Sequence, residues 1–317
     1  MPLSPLHLLT AILPVFGIMV LGFWFRRRGW LAESADRSIL FLTINVTYPA
    51  LILRKVLRDE TLHDPANIWL PAACGAGFLT LGIAIAWLAA PIFGLRGGAV
   101  RRTFALSVSV QNYGYLPFPI LTALFPHSPW AGVLFVYSLG IEIVLWTLGV
   151  VLLTGHLGRA ARHVFNPVVG SIIVGLFLNL SGIDRHVPDW SLQLAEMLGA
   201  LSIPLGLLMA GVSLADLRRL PGRSSGWGVP LGGLMLRLVV LPATMLLPML
   251  FLSPSLEFRR VIAIQAAMPA AVFPMIMARR YGGDEPTAVR VIVFTTLASL
   301  ATIPFFAPAA LRWLGVG

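Results

Sequence analysis

The sequence predicts an all-α polytopic membrane protein with ten transmembrane helices, arranged as two inverted five-helix repeats with broken, crossing helices 4 and 9. Of the 317 residues, 57% are hydrophobic and only 11% are charged, whereas about 25% of an average soluble domain is charged. A soluble fold of this size has too little interior to bury so much apolar surface. The apolar runs last about 20 residues, as membrane-spanning helices do, and lack the short alternating segments of a membrane barrel.

Charged residues, prolines and glycines divide the chain into ten apolar spans. The second and seventh spans are the least regular, because polar residues or prolines fall in mid-run. The spans are residues 8–25, 37–57, 67–93, 101–125, 129–154, 163–181, 190–217, 229–252, 258–280 and 286–312.

The basic residues predict how these spans are oriented. Arg26, Arg27 and Arg28 follow the first span, whereas a cleaved signal has its basic residues before the apolar region. Fifteen arginines fall in the loops after the odd-numbered spans, against seven basic residues on the opposite side. Because cytoplasmic loops are rich in arginine and lysine, we expect an inner-membrane protein with both termini in the periplasm. Such scattered charge does not predict nucleic-acid binding.

Two sequence patterns recur in the second half of the chain. The first span contains a P-V-x-G motif with a further glycine five residues later, and the sixth span repeats it 153 residues on, at Pro167. The fourth span has Gln111 before Phe118-Pro119, and the ninth has Gln265 before Phe273-Pro274. Because five helices is an odd number, the copies insert with opposite orientation, as in secondary carriers. We expect the repeats to cover residues 1–155 and 156–317.

The fourth and ninth spans are predicted to unwind near their centres. Each contains two closely spaced prolines, and proline removes a backbone donor and clashes with the preceding turn. Irregular backbone is tolerated in a membrane only inside protein or beside a water-filled cavity. Ordinary proline kinks are the alternative, but equivalent positions in both repeats favour a binding site. The positive ends of two half-helices would suit a carboxylate. The residues expected to contact it are Gln111, Asn112, Gly114, Pro117, Pro119, Gln265, Pro269 and Phe273.

Several polar residues lie within other spans. A carboxylate such as Glu142 is costly in a membrane unless it is protonated, paired or hydrated. Glu142 and Arg237 either serve proton coupling and substrate binding or form a buried pair between two helices. Asn45, Pro49 and Ser202 are candidates for the scaffold side of the site, with helix-to-helix hydrogen bonding as the alternative for the polar pair.

No motif predicts catalysis. The chain lacks G-x-S-G, H-E-x-x-H and nucleotide-binding G-x-x-x-x-G-K-[ST] elements, so we expect no enzyme and no ATP-driven pump. The six histidines fall in loops or at helix ends without metal-ligand spacing, and Cys74 is the single cysteine. We therefore expect no metal and no cofactor.

The motifs resemble those of the auxin efflux carrier family, in the bile/arsenite/riboflavin transporter superfamily. Asn112, Gly114 and Pro119 match the N-T-G-x-x-x-x-P spacing of its fourth helix. The ninth-helix signature is matched by 267–272 and by the R-Y-G-G-D sequence at 280–284. The basic loop after the first span and the N-V-x-x-P element at 45–49 are also similar to the family's.

This resemblance implies a homodimeric carrier of carboxylates such as auxin, malate or malonate. Helices 1, 2, 6 and 7 would form the scaffold, and the other six would form a moving transport unit. The sequence leaves the coupling ion open between a proton and a sodium ion. Many members have asparagine where this chain has Phe273, so the substrate is left open. An anion channel and a sodium-coupled symporter of the bile-acid type are the alternatives.

Overall fold

A computed structural model describes residues 5–156, 166–216 and 226–316. These residues form helices joined by short turns, and the one isolated β-bridge found among them joins Gln111 to Ala270. In chain order the helices are α1 Pro5–Arg27, α2 Glu33–Val56, α3 Ala66–Phe93, α4 Gly98–Ser109, α5 Pro117–Leu124, α6 Ala131–Thr154, α7 Pro167–Leu180, α8 Asp189–Asp216, α9 Gly228–Leu252, α10 Leu256–Ala266, α11 Phe273–Tyr281 and α12 Glu285–Trp313.

Seven of these helices are long and apolar enough to cross a membrane, namely α1, α2, α3, α6, α8, α9 and α12. The shorter α7 lies within the sixth predicted span. The all-α membrane class is thereby confirmed, and the count of ten spans stays a prediction. Some residues used to predict the orientation lie outside the described part of the chain, namely Arg159, Arg162, Arg218, Arg219 and Arg223.

The fourth and ninth predicted spans are each interrupted, as their prolines predict. One span is divided into α4 and α5, and the other into α10 and α11. In both cases a proline opens the second half-helix, Pro117 in α5 and Pro274 in α11. Proline is favoured in the first turn of a helix because the amide hydrogen it lacks would have no partner there.

Small residues let neighbouring helices touch backbone to backbone. A Cβ atom added at Gly75 of α3 would lie 2.1 Å from the Tyr137 carbonyl oxygen, and one at Gly140 of α6 would lie 2.0 Å from that of Ala72. The same holds between α1 and α8, where a Cβ at Gly211 would lie 1.9 Å from the Met19 carbonyl oxygen. Such close approach favours van der Waals packing between helices in lipid.

The helices pack in two groups. α1 packs along α8, while α2 packs against α7 and α8. In the other group α3 packs along α6 and α4, and α12 packs against α4, α9, α10 and α11. The groups meet at the interrupted segments.

A polar network ties together one end of the bundle. The Asp59 carboxylate accepts hydrogen bonds from the amides of Thr61 and Gly132, at 3.0 and 3.1 Å. Burial raises the pKa of this carboxyl, and those hydrogen bonds act in the opposite direction. The Asn179 amide donates to the carbonyls of Val56 and Asp59. These bonds join the loop after α2 to α6 and α7.

Gly75→Ala should destabilise the contact between α3 and α6, because the added methyl group meets a backbone oxygen that cannot move independently. We expect a loss of about 1–3 kcal/mol, the usual range for overpacking, seen as a lower melting temperature in detergent. Gly77→Ala on the same helix is the matched control, since nothing lies within 4 Å of its Cβ position. Equal melting temperatures for the two variants would contradict this packing.

Candidate functional site

The two interrupted segments cross and bond to each other. The backbone N–H of Asn112 donates to the Pro269 carbonyl, and the backbone N–H of Ala271 donates to the Val110 carbonyl, both at 2.8 Å. These bonds flank the antiparallel bridge between Gln111 and Ala270. Unwound backbone in a membrane needs such partners, because an unsatisfied amide or carbonyl is costly there. The crossing joins the two halves of the chain through their unwound segments.

Two buried glutamines hold the crossing in place. The Gln265 side-chain amide donates to the Tyr113 carbonyl at 3.0 Å, and that of Gln111 donates to the Tyr137 hydroxyl at 2.6 Å. Neither glutamine lines the cavity beside the crossing. Both side chains therefore support the crossing itself, and their contact with a substrate stays a prediction.

A cavity of about 620 Å³ lies between the two groups of helices and ends at the crossing. Its walls come from α2, α8, α11 and α12, and its deep end includes Asn112, Gly114 and Phe273. The size falls within the range of about 300–1,000 Å³ that is usual for small-molecule sites. Toward the helix ends the cavity reaches a set of charged residues: Glu33, Asp36, Arg37, Asp216, Arg279 and Glu285.

Asn112 is oriented by its own turn. Its side-chain oxygen accepts a hydrogen bond from the Leu116 amide at 3.2 Å, just before α5. This bond occupies the oxygen and leaves the NH₂ group as a donor to the cavity.

Several backbone amides at the crossing are available to a ligand. Among the hydrogen bonds of the described residues, the N–H groups of Tyr113, Gly114, Tyr115, Val272 and Phe273 have no partner. All five residues line the cavity. Val272 and Phe273 lie where α11 begins, and the first amides of a helix lack intrahelical partners. The other three residues lie in the unwound segment before α5. Together with Asn112, these donors suit an anionic group.

Glu142 of α6 also lines the cavity, and it is 2% exposed. Its carboxylate accepts hydrogen bonds from the Tyr113 hydroxyl at 2.6 Å and the Trp146 indole at 2.7 Å, and from the Asn166 side chain. Arg237 is buried elsewhere and donates to the Ser109 carbonyl at 3.3 Å. The two charged residues therefore have separate partners and are not placed together as a pair.

The other predicted residues do not line the cavity. Pro117, Pro119 and Pro269 shape the half-helices beside it. The Asn45 side chain bonds within α2 to the Phe41 carbonyl at 2.8 Å. Pro49 and Ser202 are buried in α2 and α8, and the Ser202 hydroxyl finds no hydrogen-bond partner among the described residues.

Sequence reasoning missed Tyr48, which lines the cavity from α2. The signal in the sequence was its place immediately before Pro49 in the N-V-x-x-P element. In the structure, a π-helical turn at Thr43–Thr47 comes just before it.

The family model described as "Membrane transport protein" matches residues 7–161 and 159–307. This chain belongs to that family of auxin efflux carrier-like transporters. A protein named an uncharacterized transporter from Methanothermobacter thermautotrophicus is 26% identical, over 93% of this chain and 96% of its own length. The uncharacterized transporter YfdV of Escherichia coli K12 is 21% identical, over 93% and 95% of the two chains.

Family membership establishes a multi-pass membrane transport protein and confirms the resemblance given by the sequence motifs. The cavity and crossing of this transporter are formed by those same motifs. In the part of the chain that the structure describes, no cluster of three or more histidine, cysteine or acidic residues could hold a metal ion.

Gln265→Leu should weaken the crossing, because it keeps the side-chain volume but removes the donor to the Tyr113 carbonyl. A buried acceptor left without a partner costs about 1–3 kcal/mol, so the melting temperature in detergent should fall. Gln193→Leu, at an exposed position on α8, is the matched control and should change it little. If both variants melt alike, Gln265 does not hold the crossing.

Proposed function

We propose that this transporter is a secondary carrier that moves a small organic acid across the inner membrane by alternating access. Malonate, malate and auxin-like acids represent the substrate class. The observation that carries the proposal is the cavity that ends at unpaired backbone N–H groups and the Asn112 side chain. These donors match a carboxylate, and none of them carries a full charge of its own.

The position of the half-helices supports the same substrate group. α5 and α11 both begin at the crossing, and each helix N-terminus carries about half a positive charge. α11 begins at Phe273, which lines the deep part of the cavity, and α5 begins three residues after Gly114, which also lines it. A carboxylate there gains favourable electrostatics from both half-helices, and a neutral molecule does not.

The architecture proposed for transport is an inverted pair of five-helix repeats with ten spans. α4 with α5 and α10 with α11 would be the equivalent broken helices. The group of α1, α2, α7 and α8 would be the scaffold. We propose that two copies of the chain associate through this scaffold as a homodimer. The remaining helices would be the transport unit.

Alternating access follows from this division. The cavity reaches charged helix ends that the arginine pattern assigns to the cytoplasm. We propose that the transport unit slides along the scaffold and carries the crossing toward the periplasmic face. No ATP-binding motif is needed, since gradients of substrate and of a proton or sodium ion would set the direction.

Replacing Asn112 with alanine should abolish transport while the protein stays folded, because the substrate loses its side-chain donor. The measurement is current on a solid-supported membrane with malonate, malate, succinate, glutarate and indole-3-acetate, together with uptake of the same radiolabelled acids to detect electroneutral exchange. We expect a saturable signal for at least one acid and a loss of tenfold or more in the variant.

Asn45→Ala is the matched control, since Asn45 bonds only within its own helix among the described contacts, and it should transport normally. A signal that does not saturate and shows no counterflow would indicate a channel. No transport by folded protein of any of these acids, or of the amino acids 4-aminobutyrate and β-alanine, would contradict the proposal.

Single cysteines should report the proposed orientation. In a Cys74→Ala background, Ser181→Cys lies after α7 and Ser34→Cys lies near the start of α2, both at exposed positions. A membrane-impermeant maleimide added to intact cells should label position 181 and leave position 34 unlabelled until the cells are opened. The reverse pattern would place the termini in the cytoplasm.

A further inference from the structure

The deep end of the cavity contains a carboxylate as well as donors for one. Glu142 is the only charged side chain there among the described residues, because the other charged groups that line the cavity lie at helix ends. An anionic substrate bound at the crossing therefore has a negative charge of the protein beside it. This arrangement needs a positive partner, and Arg237 is bonded elsewhere.

The hydrogen bonds of Glu142 match its ionised form. A carboxylate only accepts, and it offers about four lone-pair sites. The hydroxyl of Tyr113, the indole of Trp146 and the Asn166 side chain take three of these sites. One acceptor site is left for a donor in the cavity.

The Tyr48 hydroxyl is a second unused polar group at this place. Tyr48 is 5% exposed, and its hydroxyl has no hydrogen-bond partner within the described residues. A Cβ atom added at Gly114 would lie only 2.3 Å from it, so the absence of a side chain at Gly114 lets the hydroxyl reach the deep end of the cavity. A buried hydroxyl without a partner is costly, and a ligand donor would remove that cost.

Aromatic rings surround the same space. Tyr48, Tyr113, Tyr115 and Phe273 all line the cavity. The ring centroids of Tyr48 and Tyr115 are 5.2 Å apart, and Phe273 packs edge-on against Trp146 at 6.2 Å. Rings gathered near a carboxylate are the surroundings that proteins use to bind ammonium groups.

We propose that the substrate is a zwitterion, with an ammonium group held by Glu142 and Tyr48 and a carboxylate held at the crossing. This inference rests on the proposed transport function and narrows its substrate class to amino acids. Tyr113 links the two ends, because its backbone N–H lies at the crossing and its hydroxyl bonds Glu142. The two charged groups of the substrate are thus separated by about the length of one tyrosine side chain, which favours amino acids with the amine several carbons from the acid.

The rival arrangement is a plain anion bound while Glu142 carries a proton. It leaves the Tyr48 hydroxyl without a hydrogen-bond partner and the ring cluster without a cation to bind. It also requires the three donors around Glu142 to surround a neutral acid, which offers fewer acceptor sites. The two arrangements differ in which member of a matched pair of ligands binds.

The test compares 4-aminobutyrate with glutarate, and β-alanine with succinate, since each pair exchanges an ammonium group for a carboxylate at the end of the same chain. Binding is measured by calorimetry on the purified protein in nanodiscs, and uptake of the same compounds is measured in liposomes. The variants are Glu142→Gln and Tyr48→Phe. Glu196→Gln is the control, because Glu196 pairs with Arg54 on the half-exposed surface of α8, away from the cavity.

We expect the wild type to bind at least one amino acid tenfold or more tightly than its matched dicarboxylate. Glu142→Gln should remove this preference, Tyr48→Phe should weaken amino-acid binding severalfold, and Glu196→Gln should behave as the wild type. Tighter binding of the dicarboxylates, or a preference unchanged in Glu142→Gln, would overturn the inference.

The two proposals fail separately. Saturable uptake of dicarboxylates with no binding of either amino acid would preserve the carrier function and overturn the zwitterion. Amino-acid binding that depends on Glu142 but leads to no uptake would preserve the subsite and overturn the carrier function. If no compound binds and none is transported by folded protein, both proposals are wrong.

Discussion

The fold of this transporter depends on how unwound backbone is satisfied inside a membrane. Each of the two broken segments exposes amides and carbonyls that hydrocarbon cannot solvate. The bonds from Asn112 to Pro269 and from Ala271 to Val110 solve part of this problem by pairing the segments with each other. Each break therefore supplies hydrogen-bond partners for the other, and this pairing adds to the packing of α1 on α8 and of α2 on α7 and α8 that also joins the two halves of the chain.

The same constraint explains why the candidate site lies at the crossing. Pairing uses one amide from each segment, and five further amides remain without an internal partner among the described contacts. They are those of residues 113–115 and those of Val272 and Phe273. They face a cavity whose other wall is formed by α2 and α8. Gln265 and Gln111 do not line the cavity and hold the crossing through their side-chain hydrogen bonds. The donors are therefore held in position before a ligand arrives. The site is the part of the fold that cannot complete its own hydrogen bonds.

Much of this arrangement was predictable from the sequence. Prolines act on the backbone locally, so Pro117 and Pro269 indicated the breaks without knowledge of tertiary contacts. The length of the apolar runs likewise predicted the all-α membrane class. Side-chain direction around an unwound segment depends on packing, however, so the hydrogen bonds of Gln111 and Gln265 within the crossing could not be predicted from the sequence.

The partners of the charged residues depend on long-range contacts and could not be read from spacing. Glu142 bonds Tyr113, which is 29 positions away in the sequence, and Arg237 bonds the end of α4. Tyr48 was missed because a tyrosine beside a proline resembles ordinary packing until the hydroxyl is seen to lack a partner.

The most direct test of the central claim is backbone amide exchange with and without a saturating transported substrate. Exchange is followed by mass spectrometry of peptides that cover residues 112–118 and 270–276. If the substrate binds at the crossing, these peptides should exchange at least several times more slowly when it is present, while peptides from the loop at 59–64 should not change. Protection confined to other parts of the chain, with these two segments unaffected, would show that the substrate binds elsewhere.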